Sequence, residues 1–213
     1  MTQPRRRSRP VRVILLVLLA LGVLVLGAVI AVLVPILTHQ SAGGSGQEVS
    51  DELVPEVSAV GADDRTRVLR IETPNGEPAD VAQLTPGEVL DVRGSGFDAG
   101  IGIYVAICAI PESPDEKPSP CLGGIPSGAE DGDAAGDTAL SSVWITDDWA
   151  WRAFATQGYT DAAEGSFTAR ITVPDPTMDG LDCRVTRCAI ATRADHTAAS
   201  DRIQDILLPI AFR

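Results

Sequence analysis

A chain of 213 residues has room for one membrane segment and one soluble domain of ordinary size. Its formal net charge is −12, but five of its 17 basic residues precede residue 13, so the remainder carries −17. A surface this acidic repels phosphate backbones, whose binding rests on cations that displace counterions, and it argues against nucleic acid as a partner.

The chain opens with a basic tail, residues 1–12, containing Arg5, Arg6, Arg7, Arg9 and Arg12. The 25 residues from Val13 to Leu37 carry no charge. As a helix they would span about 37 Å against about 30 Å of hydrocarbon, enough to cross with some tilt. With basic charge on one flank only, the expected orientation has the N-terminus cytoplasmic and the C-terminal part outside, on the plasma membrane. A cleaved signal peptide is the alternative. Its apolar core is usually shorter, about 7–15 residues, and Gln40-Ser41-Ala42 is a poor cleavage site. No Cys follows the run at lipoprotein spacing.

Residues 38–65 read as a flexible linker, with Gly- and Ser-rich and then acidic composition, able to hold a domain on the order of 30 Å from the membrane. From residue 66 to 213 the pattern becomes short segments of period two. Phe167, Ala169, Ile171 and Val173 alternate with polar residues, which predicts a half-buried strand. Val68–Thr73, Val89–Gly94, Ile103–Cys108, Cys188–Arg193 and Ile206–Phe212 are predicted strands as well. Ile103–Cys108 is apolar on both faces and suits a central position, whereas Pro209 places the last strand at an edge or bulge. No helical stripe follows the membrane segment. The expected fold is all-β, a sandwich or barrel preceded by one transmembrane helix. Pro111–Pro120 and Gly123–Gly136 break the rhythm and read as long surface loops, the second partly unordered.

Four cysteines, Cys108, Cys121, Cys183 and Cys188, all follow the apolar run. Four allow three pairings, and spacing alone does not choose among them. An oxidising compartment favours disulfides over zinc, for which the spacings are wrong and no His is close.

Four stretches carry a family resemblance. Leu84-Thr-Pro-Gly-Glu-Val-Leu-Asp-Val-Arg-Gly-Ser-Gly-Phe-Asp-Ala-Gly100 resembles the second strand and following turn of the neocarzinostatin family. Tyr104-Val-Ala-Ile-Cys-Ala109 is similar to the strand that ends in that family's first cysteine. Asp182-Cys-Arg-Val-Thr-Arg-Cys-Ala-Ile190 is similar to its tight second cysteine pair, and Leu208-Pro-Ile-Ala-Phe212 to its closing strand. The resemblance implies an immunoglobulin-like antiparallel β-sandwich of about seven strands, with local disulfides Cys108–Cys121 and Cys183–Cys188. Antibiotic members of that family are secreted carriers that hold an enediyne chromophore in a cleft. This chain differs in its membrane segment, a longer first cysteine loop and the Gly123–Gly136 insertion, which point to a different task.

The candidate ligand-contact residues are Tyr104, Trp144, Trp149 and Trp151, with three tryptophans inside eight residues. Carried onto this chain, the family's cleft would be walled by Tyr104 and the loop after Cys108, by the Trp144–Trp151 segment and by residues after Cys188. Asp195, His196 and Ser200 suggest a triad only superficially, since adjacent residues seldom point at one another and no nucleophile elbow is present. Glu130, Asp131, Asp133 and Asp137 fail the calcium-loop pattern at its last position. Asn75, the one Asn, lacks a glycosylation sequence. No cofactor, metal or catalytic role is expected. The expected function is a membrane-anchored binding or interaction module, its partner a protein or a small apolar ligand, with a small-molecule carrier as the alternative.

Overall fold

The structure, a computed structural model, describes residues 9–123, 140–178 and 180–213. It divides into two compact units, one ending at His39 and one spanning Gln40–Arg213. In the first, helix α1 runs over Arg9–Thr38, with Pro35 in its last turn, where the Thr38 hydroxyl donates to the Val34 carbonyl at 2.7 Å. The helix is apolar on every side, and none of its apolar span Pro10–Thr38 is buried in protein. It is long and apolar enough to cross a membrane, a property that an anchor and a signal segment share.

The second unit is built from antiparallel sheets. One has the order β1-β2-β3-β6, from β1 (Glu56–Val60), β2 (Thr66–Glu72), β3 (Val89–Ser95) and β6 (Phe167–Thr172). The other has the order β10-β9-β4-β5, from β4 (Ile103–Ala109), β5 (Ser142–Ile145), β9 (Cys188–Ala194) and β10 (Leu207–Ile210). A small hairpin, β7 (Thr177–Met178) with β8 (Leu181–Asp182), makes a third.

Period-two patterning aims one face of each large sheet inward. Leu69, Ile71, Leu90, Val92, Ala169 and Ile171 of the first sheet share one apolar core with Ile103, Val105, Ile107, Val143, Ile190 and Leu208 of the second. The outer face of the first sheet is a grid of charge. Arg70 pairs with Glu56, Arg93 with Glu72 at 2.5 Å, and Arg170 with Asp91 at 2.8 Å. As expected, β4 is internal to its sheet and the Pro209-bearing β10 is at an edge.

The stretch 38–65 departs from its reading as a free linker. Its second half forms β1, registered against β2 from Glu56↔Arg70 to Val60↔Thr66. Its first half lies along the unit as an arm: Gly44 bridges Arg202, and Ala42 N–H donates to Asp201. Composition misled here because the arm is held by side chain–backbone hydrogen bonds, which Gly- and Ser-rich sequence supports without apolar periodicity. Strands β5, β7 and β8 are also absent from the sequence reading; each is too short to show a period. The Pro111–Pro120 segment is an irregular loop, as expected. The Gly123–Gly136 loop, apart from Gly123, and the four acids weighed as calcium ligands lie outside the described residues.

Candidate functional site

On the outer face of the second sheet, antiparallel register sets three side chains in one row. Arg193 of β9 lies opposite Tyr104 of β4, and Tyr104 lies opposite Trp144 of β5. The Arg193 guanidinium sits 5.7 Å from the centroid of the Tyr104 ring, and the Tyr104 and Trp144 rings are 5.8 Å apart. Beyond β5 the chain turns tightly: Ala150 N–H donates to the Asp148 carboxylate, and Trp151 N–H to the Asp148 carbonyl. That turn returns Trp151 to within 6.4 Å of Trp144. His196 joins them, edge-on to Trp151 at 4.6 Å and to Trp144 at 5.2 Å, with its Nδ1 3.2 Å from the Tyr104 hydroxyl.

The base of this cluster is fixed by Asp195, which is fully buried. One of its oxygens accepts from Trp144 Nε1 at 2.9 Å; the other accepts from the amide and hydroxyl of Thr197. Its carboxylate is thus bonded to Trp144 and Thr197, while the His196 ring is bonded to Tyr104, an arrangement that does not form the Ser–His–Asp relay. Burial, followed by the charge of Asp195, raises the Tyr104 phenol above its usual range.

Of the four residues proposed from sequence to contact a ligand, the structure brings together Tyr104, Trp144 and Trp151. Trp144 is 9% exposed and anchors the group, whereas Trp149 is 73% exposed and outside it. Both disulfides are local: Cys108–Cys121 ties the proline loop to β4, and Cys183–Cys188 ties β8 to β9. His196, weighed only as part of a triad, and Arg193, covered only by the expectation that residues after Cys188 wall the cleft, were not named as contact residues. Arg193 continues the outward alternation of Ala189 and Ala191 along β9, a signal that becomes useful only once its register with Tyr104 is known.

A cleft of about 340 Å³ is lined by Pro118, whose carbonyl accepts from Arg193, and by none of the aromatic residues of the cluster; it is at the small end of the range of ligand sites, ~300–1,000 Å³. Gln47 and Val49 of the arm form one wall, Ile110 and Pro118 of the proline loop another, with Asp205 and Leu207 also lining it. Asp205 is 4% exposed and paired with Arg202 at 2.7 Å. Burial outweighs that pairing and raises its carboxyl to about 6. Among the described residues no group of His, Cys, Asp and Glu is arranged to hold a metal ion.

No protein-family model, no curated protein and no solved structure matches this chain. The geometry of the site is therefore the ground for a functional reading.

Proposed function

We propose that the chain is a membrane-anchored, extracytoplasmic binding module on a neocarzinostatin-like, immunoglobulin-like β-sandwich, and that the outer face of its second sheet is the contact surface. The observation that carries this reading is the placement of aromatic side chains. Tyr104, Trp144 and Trp151, from a chain with nine aromatics, gather with His196 outside the shared apolar core. Aromatic rings at a half-exposed surface supply large rigid contact area at low entropic cost.

The scaffold assignment is supported by two four-stranded antiparallel sheets around one core and by local disulfides in the two cysteine loops. Extracytoplasmic placement is supported by those disulfides, and anchorage by the apolar helix with arginines on its N-terminal flank. The role is non-catalytic. A small-molecule carrier is the second reading, favoured by the 340 Å³ cleft.

Because two of the three tryptophans, Trp144 and Trp151, belong to the cluster, intrinsic fluorescence reports on this surface, and Trp149→Ala removes the contribution from outside it. Trp151→Ala should weaken binding of a ligand found by fluorescence quenching about 10-fold or more, given ~1.5–3 kcal/mol for burying a large apolar side chain. Trp149→Ala should leave affinity unchanged. Equal loss in both variants, with folding intact, would remove the cluster from the contact surface.

A further inference from the structure

The aromatic row ends in cations that form no ion pair. Outside the basic tail, this chain has 29 acids against 12 bases, so a cation without an acidic partner is unusual in it. Among the described residues, neither Lys117 nor Arg193 has a carboxylate within salt-bridge distance, although eight other arginines do. Both are half-buried, and Arg193 bonds the carbonyl of Pro118, the residue after Lys117. Burial lowers the proton affinity of each, and the charge of Arg193 lowers that of Lys117 further.

Glu48, Glu112 and Glu116 line the adjoining cleft without pairing with either cation, and the two carboxylates that act most on Lys117 are already used. Asp195 is committed to Trp144 and Thr197, and Asp205 to Arg202. Lys117 and Arg193 are therefore left without an ion-pair partner of their own. The guanidinium of Arg193 donates through Nη1 to the Pro118 carbonyl at 2.9 Å, but its Nε is buried with no acceptor. The Nε–Nη2 edge is the one whose parallel N–H bonds fit a planar or tetrahedral oxyanion. An unsatisfied buried donor is costly, and a bound acceptor would relieve it.

We propose that Arg193 and Lys117, with the rings of Tyr104 and Trp151, form a recognition site for a small planar aromatic anion. The ring of the guest lies against the aromatic cluster, and its carboxylate or phosphate lies between the two cations. The assignment rests on the reading of this face as a contact surface and adds the chemical class of the ligand. A cationic guest is disfavoured, because Arg193 already occupies the face of Tyr104 where a cation would sit.

The test uses the full chain in zwitterionic lipid nanodiscs, with empty nanodiscs as control, and tryptophan quenching by four nitroaromatic probes of matched size. These are para-nitrobenzoate, para-nitrophenyl phosphate, para-nitrobenzyl alcohol and para-nitrobenzylammonium. The expected result is saturable quenching by at least one of the two anions, about tenfold or more tighter than by the alcohol, weakening as salt is raised. The preferred anion tells carboxylate from phosphate. Lys117→Met, in a loop, should abolish most of that preference, and Lys117→Arg should restore it; thermal melts check that both fold. If the alcohol or the ammonium binds as tightly as the anions, the anion assignment falls while the contact surface stands. Unchanged anion affinity in Lys117→Met also overturns it. If none of the four quenches saturably, the anion assignment falls, and the contact-surface reading is decided separately by Trp151→Ala against Trp149→Ala.

Discussion

Two residues decide how closely the first sheet closes on itself and how its end joins the second. At Gly94 of β3, a side-chain methyl would lie 2.2 Å from Cε1 of Phe167, a buried ring held edge-on against Phe97 at 5.1 Å. Gly94→Ala must push that ring aside, so a loss on the order of 1–3 kcal/mol is expected, measured as a lower melting temperature without altered disulfides. Arg67 is fully buried and is satisfied by Asp63 through two bonds, at 2.9 and 2.7 Å, and by Gln204 Oε1 at 2.8 Å. Hydrogen bonding to Arg67 holds the Asp63 carboxyl below its usual value. Its contribution to stability is therefore present above the unfolded value of 3.8 and is lost as pH falls through the lower folded value. Asp205 has the opposite sign. With its folded value raised from 3.8 to about 6, its contribution is fully present below 3.8 and is lost as pH rises through about 6. Wild type should accordingly lose stability relative to Asp205→Asn between those two values, by on the order of 1–3 kcal/mol. Melting curves of both proteins across that interval check it; parallel curves would mean that Asp205 titrates as an exposed carboxyl does. None of these roles was readable from sequence, because each depends on a partner more than 70 positions away or on the depth of burial, as with Gly94 under Phe167.

At the scale of elements, the edge strand β10 shows how the arm works. An edge strand leaves outward N–H and C=O groups without partners, and such edges invite pairing with other chains. Here Gln47 acts as a one-residue strand: its Nε2 donates to the Leu207 carbonyl, and its Oε1 accepts from the Leu207 N–H, both at 2.7 Å. Pro209 removes another donor from the same strand. Gln47→Ala should free the edge at a cost of about 1–2 kcal/mol. Amide hydrogen exchange would speed up at Leu207 and along the arm, and little elsewhere. Uniform acceleration throughout the unit would instead show that the arm is integral to global folding. The elements that sequence made legible are those with enough residues to show a period. β2, β3, β4, β6 and β9 each alternate over six or seven positions, or are apolar throughout, and their inward residues form the shared core. β5 has four residues, all buried, and its neighbouring tryptophans drew attention to ligand contact, so its strand character was hidden. β1 was hidden by its setting, a stretch of Gly, Ser and acids whose cohesion comes from pairing with β2. The aromatic cluster was half legible: clustering of tryptophans marked the region, but only the register of β4 with β5 and β9 places Trp144 and Arg193 beside Tyr104, and only the turn at Asp148 brings Trp151, not Trp149, back to them.

For the whole molecule, the decisive question is which side of the membrane holds the unit that begins at Gln40. The two disulfides require an oxidising compartment to form and persist. Arginines on the N-terminal flank of the helix, with the first acid at Glu48, favour the same placement by the positive-inside rule if the helix is an anchor. Two independent physical arguments, redox chemistry and charge asymmetry, thus agree on orientation, and neither depends on the family resemblance. The expected outcome is that protease added to intact cells digests a C-terminal tag and spares an N-terminal one, while both stay with the membrane fraction. An anchor and a signal segment then separate cleanly. An anchor keeps the N-terminal tag and the C-terminal unit on one polypeptide of full length, whereas cleavage would release a soluble unit into the medium with a new N-terminus after α1. Cleavage has a structural consequence as well, because the arm starts directly after the helix: Ser41 and Ala42 bond Asp201, so a cut near residue 42 would remove those contacts. A full-length, membrane-held product with its C-terminal tag accessible supports the proposed topology, and a C-terminal tag protected in intact cells would reverse it.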